Sequence, residues 1–135
     1  MLNRLSRPFR PIDLDAETLA FFQLTTLGED LRRECEYDES GVCSIAIARD
    51  EHVTLVLSAL RQGEKVAEHR LPSAGTLVVL EGRITFLARE AAAPEELGPG
   101  AMAVFSADVC HGIEAREDAL FLVIIGGRQR PPTAS

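Results

Sequence analysis

Gly63-Glu64-Lys65-Val66-Ala67-Glu68-His69-Arg70-Leu71, running on to Gly82, and the stretch from Gly100 to His111 decide how this chain folds. Each is a glycine, a gap, and one histidine at the edge of an apolar run of strand character. From Val42 onward apolar residues recur at every second position, the period of a strand with one buried face. The runs Val42–Arg49, Val53–Leu60, Val66–Leu71, Thr76–Leu80, Arg83–Ala88, Ala101–Ser106, Gly112–Ala115 and Leu120–Ile125 read as strands. Turn signals separate them: Arg49-Asp50-Glu51-His52, Gly63, Pro72-Ser73-Ala74-Gly75, Glu81-Gly82, Gly98-Pro99-Gly100 and Arg116-Glu117-Asp118. Short strands at this cadence predict an all-β sandwich or barrel. The continuous run Leu120-Phe121-Leu122-Val123-Ile124-Ile125 suits a strand buried on both faces.

Upstream of the strands the pattern changes. Arg7-Pro8 and Arg10-Pro11 oppose helix, so residues 1–12 read as a loose arm. Asp13 and Asp15 can cap a helix running to about Leu24, with Leu14, Leu19 and Phe22 at helical spacing. Residues 28–41 are charged, end in Asp38-Glu39-Ser40-Gly41, and read as a surface connection that leaves Tyr37 outside. The expected organisation is an arm and helix over 1–41 packing on a barrel over 42–127, then a flexible tail over 128–135.

The chain has 135 residues and 46% apolar content, enough for one domain with a core of its own. Its net charge of −7 disfavours nucleic acid and anionic membrane surfaces. No apolar run approaches the roughly 20 residues a membrane helix needs, and no apolar stretch follows the arginine-bearing start, so neither a span nor a secretory signal is expected. The three cysteines, Cys35, Cys43 and Cys110, are odd in number and lack paired spacing. Reduced thiols in the cytoplasm are the expectation.

The two histidine stretches resemble the two half-motifs of the cupins, and the likeness covers about residues 42–126. In the first cupin motif a glycine is followed by two histidines, a glutamate and a closing glycine. Gly63 and Gly82 hold the glycine positions and His69 the first histidine, while Leu71 stands for the second histidine and Gly75 for the glutamate. In the second motif Gly100 and His111 fit, whereas Ser106 replaces a proline, Asp108 a glycine and Ala115 an asparagine. The chain looks like one of the small single-domain bacterial cupins with a degenerate metal-binding motif. The resemblance implies a double-stranded β-helix, the RmlC-like jelly-roll barrel, with a short N-terminal helix.

Strand alternation adds directions to this frame. If His69 points into the barrel, Leu71 does too, and Glu68 and Arg70 point out. Leu77 and Val79 continue the inward face, Cys110 faces away from His111, and the outward face of Thr76, Val78 and Leu80 needs a cover. Either the N-terminal segment or a second subunit can supply it, and a homodimer packed partly through that face is expected. The expected pocket is lined by His69, Leu71, Leu77, Val79 and His111. His69 and His111 are also the candidate ligands of a weakly bound divalent transition metal, although Leu71 and Gly75 remove two of the usual ligands. His52 reads as a solvated turn histidine and Glu81 as a surface turn residue.

Three functions compete on these residues. One is a domain that holds a small, partly apolar molecule in the barrel mouth. Another is a cupin enzyme of dioxygenase, isomerase or decarboxylase type using a reduced two-histidine site, or a metal-free version with one histidine as general base. The third is a structural protein using the outer apolar strand face, which gives no reason for two histidines in cupin register.

Overall fold

The change to two-residue periodicity at Val42 is where the sheets begin. The structure, a computed structural model, describes residues 12–13, 17–89, 91 and 93–126. In chain order it contains β1 (Ile12–Asp13), α1 (Leu24–Arg32), α2 (Cys35–Ser40), β2 (Val42–Arg49), β3 (Val53–Leu60), β4 (Lys65–His69), β5 (Gly75–Glu81), β6 (Ile84–Ala88), β7 (Glu95–Leu97), β8 (Met102–Phe105), β9 (His111–Ala115) and β10 (Ala119–Gly126). Two sheets form, one in the order β1-β2-β3-β10-β5-β8 and the other β4-β9-β6-β7. Every pairing is antiparallel except that of β1 with β2. This is the all-β, two-sheet architecture the strand pattern predicts and the jelly-roll arrangement the cupin resemblance implies.

The turn at 49–52 is built as its sequence suggests. Asp50 Oδ1 accepts from the backbone N–H groups of His52 at 2.7 Å and Val53 at 2.9 Å, an Asx turn that closes the β2–β3 hairpin. His52 is exposed there. The short strand β7, on the apolar-poor sequence Glu95-Glu96-Leu97, carried no periodicity to find it by; its pairing with β6 makes it a strand.

Two cores share the larger sheet. Between the sheets, Leu60, Leu77, Val79, Ile84, Phe121 and their neighbours form the barrel interior. On the sheet's outer face, Leu31, Tyr37, Cys43, Ile45, Leu57 and Leu120 form a second layer under the helices. Strand β10 serves both, with Phe121 inward and Leu120 outward, which is why its sequence is apolar without alternation. Each fully buried leucine here contributes about 2 kcal/mol of transfer free energy.

The N-terminal helix lies later in the chain than the sequence suggests. Ile12–Asp13 pairs with β2 as a strand, and helix begins only at Leu24. The expected helix does not form: of its stripe, Leu19 is 80% exposed and Phe22 packs partly buried against the helix-side core, while Leu14 and the cap candidate Asp15 lie outside the described residues. The real buried stripe is Leu24, Leu27 and Leu31, at the spacing of one helix face. Gly28 sits on that stripe because a Cβ there would fall 2.6 Å from Leu120 Cδ2. The segment read as a surface connection therefore holds most of α1 and all of α2. Tyr37 is 8% exposed, so its expected surface placement is also corrected; the Arg61 guanidinium lies 5.9 Å from its ring centroid. Of the expected arm over 1–12, Ile12 belongs to β1 and the rest lies outside the described residues, as does the tail over 128–135.

Candidate functional site

Four of the five residues expected in the pocket line one cavity, of about 180 Å³: His69, Leu71, Leu77 and His111. Val79, the fifth, is fully buried in the barrel core and is not on the cavity wall. It faces inward as alternation predicts, but one step farther along β5 the interior is already filled. The wall is completed by residues that motif reading missed, among them Ser44, Ser58, Phe105, Phe121 and Val123. The two serines had a signal: each is a hydroxyl at an inward position of a mostly apolar strand, and the hairpin register sets them opposite each other.

His111 opens strand β9 and is 4% exposed. Its ring lies 5.5 Å from that of Phe86 and nearly parallel to it, at 7°. The Phe105 ring is 4.4 Å away and the His69 ring 4.5 Å away. His69 ends strand β4 and is exposed at the rim. Burial, the largest cause, pushes His111 below the ordinary imidazole range; its hydrogen bond to Val109 works against that, and His69 beside it adds to the lowering. His111 is thus held neutral at pH values where an exposed histidine begins to charge.

The tautomers follow from the backbone. His69 Nδ1 lies 3.0 Å from the Ala67 carbonyl oxygen, and His111 Nδ1 lies 3.1 Å from that of Val109. A carbonyl oxygen can only accept, so both Nδ1 atoms carry the proton. In the neutral rings each Nε2 then has a lone pair and no hydrogen.

Outward-facing neighbours behave as expected. Cys110, immediately before His111, turns away and donates its S–H to Glu68 Oε1 at 3.7 Å. Arg89 Nε donates to the same oxygen at 3.3 Å. Glu81 accepts from Arg32 Nη1 at 3.1 Å and ties β5 to α1.

Two motif positions explain what the retained letters do. Gly82 has φ +77°, and a Cβ there would lie 2.1 Å from the Asp118 carbonyl oxygen, so only glycine fits. Asp108, standing where the second motif has glycine, keeps the glycine-like backbone with φ 67°. Its N–H donates to the Leu71 carbonyl at 2.8 Å, and Arg70 Nη1 donates to its carbonyl. The backbone of both motifs is intact.

That geometry settles the architecture. The chain has the cupin fold. Solved structures similar to this cupin barrel include an RmlC-like cupin from Shewanella frigidimarina, with a TM-score of 0.66 over 85% of this chain and 95% of that one at 16% identity. The TT1209 protein of Thermus thermophilus matches 74% of this chain and 96% of its own at 26% identity and a TM-score of 0.62. The DMSP lyase DddQ of Ruegeria pomeroyi matches 77% of this chain at 16% identity and a TM-score of 0.61, with 55% of the lyase covered. No protein-family model and no curated protein matches the sequence.

Metal-dependent cupins need a ligand set, and the donors here can be checked against one. The two Nε2 lone pairs are suited to a metal ion, since a ligating imidazole usually gives its other N–H to a carbonyl. A third protein ligand is missing: among the described residues no group of three histidine, cysteine, aspartate or glutamate side chains converges. Leu71 lines the cavity where a second histidine of the first motif would stand. The residues do not fit a three-ligand site. No helix among the described residues is long and apolar enough to cross a membrane.

Proposed function

We propose that this cupin domain binds a compact, mostly apolar small molecule in its barrel pocket and does so without a complete metal site. One observation carries the reading: the buried His111, stacked on Phe86 and packed beside Phe105 and His69, forms one wall of a cavity of about 180 Å³ whose other walls are mainly aliphatic. Concave, apolar sites with a few fixed polar groups are the usual form of small-ligand pockets. Leu71 supports the metal-poor half of the reading, because it adds apolar wall where a chelating side chain would be needed.

The test uses untagged protein purified without chelator. Elemental analysis is expected to find well under one equivalent of first-row metal, and ligand-observed NMR against a fragment set is expected to give binders that Leu71→Trp, which fills the rim, displaces. Fragments that bind the variant equally well would remove the pocket from the function.

A second reading is a metal-dependent cupin enzyme, of dioxygenase, isomerase or decarboxylase type, working from two histidines. The paired Nε2 lone pairs favour it, and a DMSP lyase among the proteins of similar fold is consistent with it. One full equivalent of iron, manganese or nickel, lost in His111→Ala, would favour this reading over the first.

The proposal extends to a homodimer in the cytoplasm. The helices cover the outer face of β2, β3 and β10 and reach Leu80 and Glu81 on β5, while Met102 is exposed and Val104 is 70% exposed on β8. A second copy would cover that strip, and Val104→Glu should then halve the mass seen by light scattering; an unchanged mass would remove the interface. A reducing compartment is supported by Cys43 and Cys110, both buried with the S–H given to a carboxylate.

A further inference from the structure

The cavity has two polar poles and an apolar waist. One pole is the imidazole pair, with His69 at the rim and His111 buried. The other is a serine pair: Ser44 Oγ and Ser58 Oγ lie 2.7 Å apart, Ser44 exposed at the rim and Ser58 buried. The sheet order β2-β3-β10-β5-β8 sets the serines, on β2 and β3, to one side of β10. Phe105, which touches His111, stands on β8 to the other side. At about 4.8 Å per strand, β3 and β8 are roughly 14 Å apart. Phe121, Val123, Leu77 and Ile125 line the space between.

Among the described residues, no lysine, arginine, aspartate or glutamate lines the cavity. The poles also differ in what they can read. With both Nδ1–H groups given to backbone carbonyls, the neutral imidazole pole offers only lone pairs and needs a partner that brings a hydrogen. At the serine pole one hydroxyl donates to the other, and the second keeps its own hydrogen, so this pole takes a donor or an acceptor.

Resting on the pocket reading above, we propose that the ligand is an uncharged single-ring or similarly compact molecule, with an O–H or N–H group on the imidazole pair and a second polar group on the serine pair. A carboxylate is disfavoured: its oxygens would face two lone pairs, and the wall holds no fixed cation to offset desolvation. The size agrees, since an apolar cavity of about 150 Å³ holds one benzene ring.

The experiment is calorimetry on the full chain at pH about 8, where ordinary imidazoles are neutral, with three probes: para-hydroxybenzyl alcohol, para-hydroxybenzoate and para-xylene. The alcohol is expected to bind about tenfold more tightly than the benzoate. Ser58→Ala should cut its affinity by roughly the same factor and leave para-xylene unchanged. If Ser58→Ala does not fold, Ser44→Ala at the exposed rim tests the same pole. Benzoate binding as tightly as the alcohol would overturn the ligand class and leave the pocket standing. An alcohol indifferent to both serine variants would overturn the two-pole arrangement. Failure of all three probes at millimolar concentration would overturn this inference together with the pocket itself.

Discussion

His69 and His111 are direct cross-strand partners on β4 and β9, and their ring centroids lie 4.5 Å apart. The pairing is not what regular alternation delivers. Val66 pairs with Ile113 in the same ladder, and the register shifts before His69 pairs with His111. Three steps along β4 thus match two along β9, the signature of a β-bulge. Val66 and His69, an odd number of residues apart, consequently line the same cavity. The bulge turns His69 toward His111.

Deleting Ala67 tests that device. Loss of the extra residue is expected to restore plain alternation and swing His69 off the cavity wall while the rest of the barrel folds. The measurement is the NMR resonance of His111, which should lose its proximity effects to the His69 ring. A variant that keeps the ring-to-ring contact would mean that the bulge is not what aims His69.

Stability should depend on pH through His111. Its folded-state value is lowered by burial from 6.5, so below that pH the unfolded chain takes up the proton first. The contribution is whole above about pH 6.5 and is lost as pH falls from there toward the folded-state value. Urea midpoints at pH about 7.5 and 5.5 should fall less steeply in His111→Phe than in the parent chain. Equal slopes would show that His111 does not titrate differently on folding.

Asp108→Gly is expected to stabilise the barrel by about 1 kcal/mol or less. Asp108 holds φ 67°, a left-handed conformation that costs an L-residue energy and glycine none. The gain is offset in part by the larger unfolded-state freedom of glycine. A chemical-denaturation series reads the sign; a clear loss would mean that the aspartate side chain supplies a contact that outweighs its strain.

Tyr37→Phe should be neutral or stabilising by about 1 kcal/mol. The Tyr37 hydroxyl is buried under α2 with no hydrogen-bond partner among the described residues, so removing it abolishes a desolvation cost and keeps the ring packed. Destabilisation beyond about 1 kcal/mol would reveal a partner for the hydroxyl.

The barrel was legible because strands write their burial into a two-residue period and turns into glycine, proline and aspartate. The edges β2, β3, β5, β6 and β8–β10 fall within a residue or two of those patterns. The N-terminal helix was misplaced because Leu19 and Phe22 satisfy helical spacing as well as Leu24, Leu27 and Leu31 do; Phe22 reaches the same core without being helical, and only packing on the outer face of β2 and β3 selects where the helix begins. Tyr37 was misread for the same reason, as its charged neighbours say nothing about the sheet beneath it.

The site divides along the same line. Strand period and the motif glycines placed the two histidines at strand edges, and the cupin resemblance those letters carry implied that Leu71 and Gly75 replace ligands; both were legible because backbone conformation and side-chain chemistry are local properties. Only the folded chain decided that a bulge aims His69, that Phe86 and Phe105 pack against His111, and that Ser44 and Ser58 meet on the cavity wall. Those contacts join strands distant in sequence, and their register is fixed by packing across two sheets, which no local pattern records.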